Sequence, residues 1–476
     1  MGRRLLWLLA VLALMALASA LAAALLLQEK GVTPRVLAPY VAKRTSGHNP
    51  TIVQAGQFAA RTLVALDRGE PGLPGPLPKA FGAQSGPPTS GPAGGKVQLV
   101  ASADDARRAF GAAMPGDVIS FMPGRYRFTG AAPAALQGGT RGAPITVRAA
   151  QPGTVTIEMD AVEGFLVNAP WWRFENLIIT GVCQHDSDCE HAFHVVGAAH
   201  HFSASNNTIT NFNAHFKING VDRRFPDDGL LELNTLTNSG ARRTANPVTP
   251  IDLVAASGWT IRRNLIADFS KAEGDGISYG GFAKGGGARN VFEQNAVLCE
   301  YRLRGLPGQR VGLSLGGGGT GKPYCRDGKC VTEQDQGIIR ANLIAACSDD
   351  GIYLNNAAAS RVSHNTLSDT SGIQVRFAAS SADIEGNLVD GAIRSRDGAV
   401  VRLNDNLETA VLWLYAGYHG QRSQFADAGT FDFRWRGDVP RRSTGAAGVP
   451  DLCQAARPAA PAYGAFEDIS ACDKAR

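Results

Sequence analysis

Three side chains in the repeated part of this sequence could take a proton from a carbon atom: Lys217, Lys284 and Tyr353. A lysine or tyrosine of suitable pKa can act as a general base, while an arginine neutralises the carboxylate beside the reacting carbon. The arginines placed to do so are Arg310, Arg376, Arg394 and Arg396. These residue types together predict β-elimination on a carboxylate-bearing substrate.

Acidic side chains at the starts of equivalent strands offer a second chemistry. They are Glu273, Asp275, Asp349 and Asp350. Two carboxylates on either side of a glycosidic bond can carry out inverting hydrolysis, and Asp349-Asp350-Gly351-Ile352 resembles a motif of polygalacturonase-type glycosidases. Asp275, Asp349 and Asp350 could instead bind Ca²⁺, which prefers oxygen ligands. Hydrolysis and calcium binding therefore stay open as alternatives.

Histidines are concentrated between His185 and His201, where five occur together with Cys183 and Cys189. His191 and His194 are three positions apart, so on a regular strand they would face opposite ways. We therefore expect a disulfide-closed loop here rather than a metal site.

The elements that must hold these residues repeat along the chain. A polar–Asn–apolar unit recurs, and its asparagines are separated by 19 to 47 residues: Asn176, Asn207, Asn234, Asn264, Asn295, Asn342, Asn365, Asn387 and Asn406. A unit of about twenty residues with loop insertions is typical of a β-solenoid. Stacked asparagines can form an amide ladder inside the coil, and Asn also tolerates the left-handed bend between two strands. The pattern predicts a right-handed parallel β-helix.

A second strand follows each asparagine strand and opens on glycine or a small turn. Period-two alternation points one set of residues inward: Ile277, Leu313, Ile352, Ile373 and Ile393. The alternate positions form a first outward column of Lys217, Asp252, Ser278, Ser314, Tyr353, Gln374 and Arg394. A second outward column holds Asn219, Val254, Gly280, Gly316, Asn355, Arg376 and Arg396. Glycines 280, 281 and 316–319 predict a groove flanked by polar and basic side chains.

Ser102 is positioned to N-cap a helix through Phe110, which would cover the open end of the solenoid. The segments that follow are Met114-Pro115-Gly116-Asp117, Gly124-Arg125-Tyr126 and Ala143-Pro144-Ile145-Thr146. In this order they resemble the opening of chondroitinase-B/alginate-lyase-type polysaccharide lyases, over about 85 residues.

That resemblance implies a lysine base and an arginine acid on adjacent coils. Lys284 precedes the coil of Asn295, which corresponds to the position of the lysine. The following strand reads Gly312-Leu313-Ser314-Leu315-Gly316-Gly317 and holds no Arg-His-Gly, so Arg310 immediately before it is the candidate arginine. The implied substrate is an acidic polysaccharide. The candidate residues to bind it are the outward-facing Arg376, Arg394, Arg396, Asn355 and Asp252.

The N-terminus predicts export. Arg3 and Arg4 precede an apolar run of 23 residues, Leu5 to Leu27, long enough to cross a bilayer with the body outside. Ala18-Ser19-Ala20 offers a cleavage site, but the run continues beyond it, which favours an uncleaved anchor over a signal peptide. We expect an envelope protein anchored in the inner membrane and facing the periplasm, or a secreted one if the segment is cleaved.

The eight cysteines agree with an oxidising compartment. The expected pairs are Cys183 with Cys189, Cys299 with Cys347, Cys325 with Cys330, and Cys453 with Cys472. None of these pairs has the C-x₂-C spacing of a structural zinc site.

The charge of the chain limits the classes of partner, and changes in composition along the chain indicate the domain divisions. A net charge of +5 spread along the chain gives little support to nucleic-acid binding. The expected divisions are a signal or anchor at 1–27, a short helix (Thr51 to Asp67) with a Pro/Gly-rich linker at 28–95, the β-helix at 96–410, and a disulfide-containing extension at 411–476. Besides a lyase, a non-catalytic membrane-tethered polysaccharide binder fits this organisation.

Overall fold

The computed structural model describes residues 2–69, 72, 75–85, 94–317, 319–443 and 449–473, with side chains from residue 7 onward. Part of the predicted Pro/Gly-rich linker (70, 71, 73, 74 and 86–93) lies outside the described residues, as does Gly318 of the predicted groove.

Three long sheets of parallel strands form the body, and successive coils add strands to them. Within the described residues, sheet 1 consists of Val97–Val100, Val118–Phe121, Ile145–Ala149, Trp172–Glu175, Ser203–Ser205, Leu230–Glu232, Thr260–Arg262, Val291–Glu293, Ile338–Arg340, Ser360–Ser363, Ser381–Glu385 and Val400–Asn404. Sheet 2 consists of Gly124–Thr129, Val155–Asp160, Ile178–Gly181, Thr208–Thr210, Thr235–Thr237, Leu265–Ala267, Ala296–Leu298, Leu343–Ala345, Thr366–Ser368, Leu388–Val389 and Leu407–Glu408.

Sheet 3 consists of Ala134–Ala135, Glu163–Val167, His191–Val196, Ala214–Asn219, Ile251–Val254, Ile277–Lys284, Gln309–Leu315, Ile352–Asn355, Gly372–Arg376 and Ala392–Arg396. A short parallel sheet joins Gly287–Ala288, Gln334–Asp335 and Ala357–Ala358, and an antiparallel pair joins Phe425–Asp427 to Asp432–Trp435. The predicted parallel β-helix is confirmed.

An asparagine ladder lies at the bend between sheets 1 and 2. In its middle, the Asn264 amide nitrogen donates to Asn295 Oδ1 at 3.0 Å, and Asn264 Oδ1 accepts from Asn234 Nδ2 at 3.0 Å. The ladder runs from Asn207 to Asn406, while Leu177 occupies the equivalent position in the preceding coil. The prediction that the asparagines adopt the left-handed bend holds for Asn176, at φ 61°, and is wrong from Asn207 onward, because there the residue before each asparagine adopts it, for example Arg263 at φ 58°. The ladder asparagine is selected for its amide and not for its backbone.

Buried side chains fill the coil, and a helix closes its first end. Helix α4 (Ala103–Gly111) begins after Ser102, whose hydroxyl accepts from Asp105 N at 3.1 Å, as predicted. Phe110 on this helix stacks on Phe165 and Trp172, with centroids 5.7 and 5.2 Å apart. The helix therefore covers the apolar interior at this end of the coil, where the strand edges would otherwise be exposed to solvent.

Three helices precede the body: α1 (Gly2–Glu29), α2 (Pro34–Thr45) and α3 (Pro50–Arg68). Within the described residues, Trp7–Glu29 is the one stretch long and apolar enough to cross a membrane, judged by length and composition. The predicted helix from Thr51 to Asp67 corresponds to α3, whereas α2 was not predicted.

Four disulfides join the cysteines in the expected pairs. Cys299–Cys347 links neighbouring coils, since each cysteine follows one of two paired strands of sheet 2. After the β-helix, helix α5 (Val411–Tyr415) and the antiparallel pair lead to the Cys453–Cys472 segment, where Phe425 and Phe466 pack against the outer face of sheet 2. The domain boundaries stay a prediction.

Candidate active site

A groove of about 670 Å³ lies on the outward face of sheet 3. Its floor comes from the strands between His191 and Lys284, and its far wall is the loop after Leu315, including Gly319 and Tyr324. Because consecutive strands are parallel and about 4.8 Å apart, outward residues of successive coils stack in columns. The groove therefore gathers side chains that are distant in sequence.

The predicted outward columns are correct except in the strand Ile277–Lys284. Asp252 pairs in register with Phe282, and Phe282 with Ser314, so Phe282 occupies the place expected for Ser278. The strand is longer than its neighbours, and its register is four residues from the predicted one. Ile277 consequently lines the groove instead of the core, and Lys284 enters the second outward column beside Val254.

Glycines contribute to the groove differently from the prediction. A Cβ at Gly280 would lie 3.0 Å from the Phe269 ring, so this residue faces the interior, and Gly281 likewise packs against Ile251. Gly317 does line the groove, where a Cβ would lie 2.6 Å from Lys284 Cδ. The loop glycine therefore makes room for the lysine stem.

Two of the three groove lysines are held by carboxylates. Lys217 Nζ lies 2.8 Å from Asp252 Oδ2, and Lys271 Nζ lies 2.8 Å from Asp275 Oδ1. Lys271 was not predicted, because it lies in the loop between the strands Leu265–Ala267 and Ile277–Lys284, where no regular spacing indicates which side chains meet. Each of these two amines is therefore already paired with a carboxylate.

Lys284 has a different environment. Burial lowers the pKa of its amine, and the charge of Lys217 lowers it further, while Asp252 and Glu333 oppose the shift. Its Nζ lies 4.3 Å from the centroid of the Phe282 ring, and no ion pair to it occurs within the described part of the chain. A lysine with a lowered pKa and no carboxylate partner is suited to act as a general base.

Two tyrosines lie on the same sheet as Lys284, and the ring of Tyr279 packs against Phe282 with centroids 5.6 Å apart. Tyr279 lines the groove, and burial raises the pKa of its phenol, with Tyr353 and Asp349 adding to the shift. Tyr353, the predicted alternative base, accepts a hydrogen bond from Asn355 Nδ2 at 2.9 Å, and burial raises its pKa too. Both phenols are protonated at neutral pH, which suits proton donors better than bases. Tyr279 was missed because the register of its strand was misassigned.

His191 and His194 lie side by side at one end of the groove, and their ring centroids are 5.1 Å apart. The expectation that they face opposite ways is wrong, because Ala192 and Phe193 both turn into the core and leave both histidines outside. Burial, His194 and Lys217 lower the pKa of His191 to about 3. Glu163 on the preceding coil lies with its Oε1 2.9 Å from His194 Nδ1.

The predicted arginines do not flank this groove. Arg310 is buried, with its Nη2 2.8 Å from Glu300 Oε1, and lines a second cleft of about 580 Å³ beside α2. Arg394 lies in the same cleft in a buried ion pair with Asp350, and Arg396 is at its exposed rim. Arg376 is ion-paired with Asp397. Alternation correctly predicted that Arg376, Arg394 and Arg396 lie on the outer face of sheet 3, but their strands lie beyond the groove.

The acids proposed for calcium or hydrolysis are also separated. Asp275 is paired with Lys271 in the groove, whereas Asp349 and Asp350 line the second cleft. Burial and Asp350 raise the pKa of Asp349 to about 7. Glu273 is exposed and lies outside the lining of both clefts. The structure therefore does not gather these acids into one site.

A family model described as "Right handed beta helix region" matches residues 191–408. No curated protein sequence matches the chain. Among solved structures, pectate lyase Pel9A superposes with a TM-score of 0.54 at 16% identity, covering 82% of this chain and 99% of its own. The alginate lyase of Paenibacillus sp. str. FPU-7 has a TM-score of 0.40 at 15% identity, covering 66% and 95%.

The A-module of the mannuronan C-5 epimerase AlgE4 of Azotobacter vinelandii has a TM-score of 0.43 at 12% identity, covering 70% of this chain and 95% of its own. Identities this low establish the fold alone. Together with the three stacked parallel sheets, the family match identifies the body of this chain as a right-handed parallel β-helix.

Proposed function

We propose that this protein is a polysaccharide lyase that cleaves an acidic, uronic-acid polysaccharide by β-elimination, with Lys284 as the base. The observation that carries the proposal is the environment of Lys284: an amine with a lowered pKa, without an ion-pair partner among the described residues, facing an open groove. Pectate lyase Pel9A has the same fold, which supports a substrate of this class.

The groove holds the other groups that the reaction requires. Lys217 and Lys271 line the groove, where each amine can also donate a hydrogen bond to a substrate carboxylate while it stays paired with Asp252 or Asp275. Lys284 takes the proton from C5, the electrons of that bond form the C4–C5 double bond, and the C4–O bond breaks. Tyr279 is a protonated phenol lining the same groove, and it can donate the proton to the leaving oxygen. The products are a new reducing end and an unsaturated uronate.

We infer the location of the protein from its N-terminus and its disulfides. The apolar helix α1 and four disulfides support a protein held in a membrane with its body in an oxidising compartment, such as the periplasm. α1 also touches the body, since Leu412 N donates to Gln28 Oε1 at 3.2 Å. This contact favours an anchor that is retained over a signal peptide that is removed.

Incubation of the purified full-length protein with a panel of uronic-acid polysaccharides tests the proposal, with ultraviolet absorbance of the unsaturated product as the readout. Lys284→Ala should lower kcat by roughly 10²–10⁴-fold, the usual contribution of a positioned base. Lys329→Ala, which removes an exposed lysine from a loop, is the matched control and should retain full activity.

Two results would contradict the lyase. Equal activity of Lys284→Ala and Lys329→Ala would remove Lys284 from the reaction. Binding to a polysaccharide of the panel without any unsaturated product would instead support the non-catalytic, membrane-tethered binder. New reducing ends without the absorbing product would support a glycoside hydrolase.

A further inference from the structure

We propose that Glu163, His191 and His194 form a binding site for one divalent transition-metal ion, of the Zn²⁺ class, at the end of the groove. This site goes beyond the proposed function, because metal binding does not depend on any reaction of a polysaccharide. In the described part of the chain, this is the one group of three or more His, Cys, Asp or Glu side chains placed to share an ion.

The fold itself brings the three side chains together. Glu163 and His191 are direct register partners on adjacent coils, and His194 projects from the same strand as His191 because Ala192 and Phe193 turn inward. One ligand atom from each residue lies within 4.8 Å of the others. Small side-chain movements would bring these atoms to bonding distance from a common ion.

The hydrogen-bonding environment of the two imidazoles resembles that of metal-bound histidines. His194 Nε2 lies 2.9 Å from Asn219 Oδ1, so a proton on Nε2 leaves Nδ1 as the lone-pair nitrogen, and Nδ1 is the atom beside Glu163. An outer carbonyl that orients the second ring nitrogen is the usual arrangement at metal-bound histidines. His191 Nδ1 is buried without a hydrogen-bond partner among the described residues, which is an independent sign of a missing interaction.

The donor set selects the kind of metal. Two imidazoles and one carboxylate suit Zn²⁺ and similar ions, whereas Ca²⁺ prefers a shell of six to eight oxygens. Three protein ligands also leave a coordination position open, and two of the three, His191 and His194, line the groove. Lys217 is the nearest groove cation, but its charge is compensated by Asp252 at 2.8 Å.

A metal at this position has a use that rests on the proposed function. The groove lining contains lysines but no arginine within the described residues, so a group that grips a uronate carboxylate in two places is otherwise lacking. An ion held by Glu163, His191 and His194 could bind such a carboxylate at its open position.

Zinc binding to the full-length protein in detergent, purified without a polyhistidine tag and treated with a chelator, tests the site. Isothermal titration with ZnCl₂ and elemental analysis should show about one ion per chain. His194→Ala and Glu163→Gln should weaken binding at least about tenfold, and Asn219→Ala roughly 10–100-fold. His185→Ala, which removes an exposed histidine of the same region, should leave the affinity unchanged.

Cobalt provides a second readout that a merely unstable variant cannot imitate. Visible absorption bands of Co²⁺ bound to imidazole should appear in the wild-type and His185→Ala proteins and vanish in His194→Ala, while thermal unfolding shows that all variants are folded. Equal zinc affinity of the His194→Ala and His185→Ala proteins would overturn the site. Because no polysaccharide is present, failure of the lyase proposal would not change either result.

Discussion

Lys284 shows how three neighbours tune one amine. Phe282 lies under its charge, Gly317 leaves space for its stem, and Lys217 adds a like charge nearby. Burial and like charge both favour the neutral amine, and the neutral amine is the form that accepts a proton. The residue type and the neighbouring Phe282 could be foreseen from the sequence, because both lie on the strand Ile277–Lys284, but Gly317 and Lys217 could not, because they come from two other coils.

The charge of Lys217 therefore predicts a pH effect. In Lys217→Met, loss of the like charge leaves Asp252 unpaired near Lys284, and both changes raise the pKa of Lys284. Since the neutral amine is the active base, the ascending limb of kcat/KM against pH should move to higher pH. Initial rates over a pH series measure this limb.

Lys329→Met, in an exposed loop, is the control and should keep the wild-type limb. A limb that stays in place or moves to lower pH in Lys217→Met would show that Lys284 is not the titrating base.

The asparagine ladder is the element on which the coils depend. Asn264 is fully buried, and its amide also donates to the carbonyl oxygen of Leu231 at 3.0 Å, while its Oδ1 accepts from Asn234 N at 2.9 Å. Each ladder residue thus satisfies backbone groups of two coils that the β-bend leaves without partners. This explains why asparagine recurs at this bend from Asn207 to Asn406 while the loops between the coils vary in length.

Asn264→Ala should destabilise the protein strongly, since it leaves several buried donors and acceptors unpaired. At about 1–3 kcal/mol for each buried unsatisfied group, the free energy of unfolding should fall by roughly 3 kcal/mol. Urea unfolding measured by circular dichroism checks the value.

Asn404→Ala, which removes an exposed asparagine of sheet 1, should change stability by less than about 0.5 kcal/mol. Similar losses in the two variants would show that the ladder has no special role.

At the scale of the whole molecule, a buried ionic network fastens α2 and α3 to the β-helix. Arg35 Nη2 lies 2.8 Å from Asp369 Oδ1, and Arg68 lies 3.2 Å from Asp369 Oδ2. Burial alone would raise the pKa of Asp369, but the arginines around it, led by Arg68 and Arg35, hold that pKa well below its usual range. Helices α2 and α3 and the groove-bearing solenoid are thus one packed body.

Asp369→Asn should loosen this attachment, because several buried guanidinium groups lose their counter-charge. Removing one partner of a buried pair typically costs about 3–5 kcal/mol. Hydrogen exchange at pH 7 should accelerate in residues 34–68. The lowered pKa of Asp369 means that its stabilisation is full above the unfolded carboxyl pKa of about 3.9 and fades as the pH falls through the folded value.

Asp383→Asn is the matched control, since Asp383 pairs with Arg402 in an exposed position. Unchanged exchange of residues 34–68 in Asp369→Asn would show that apolar contacts, not the ionic network, hold the helices.

The sequence by itself determined the coil, its asparagine ladder, the capping helix, the cysteine pairs and the apolar N-terminal segment. These features are local or periodic, so spacing and residue type are sufficient to predict them. It also identified Lys217, Asp252 and Lys284 as outward or reactive residues.

Only the tertiary structure decided which of those residues meet. Strand register between coils depends on loop insertions and strand length, so a four-residue error at Ile277–Lys284 left Lys284 out of the predicted outward columns. An irregular strand turned His191 and His194 to one face, and two different clefts separated the arginines from the groove lysines. Convergence of side chains from separate coils is a property of packing, which sequence periodicity does not encode.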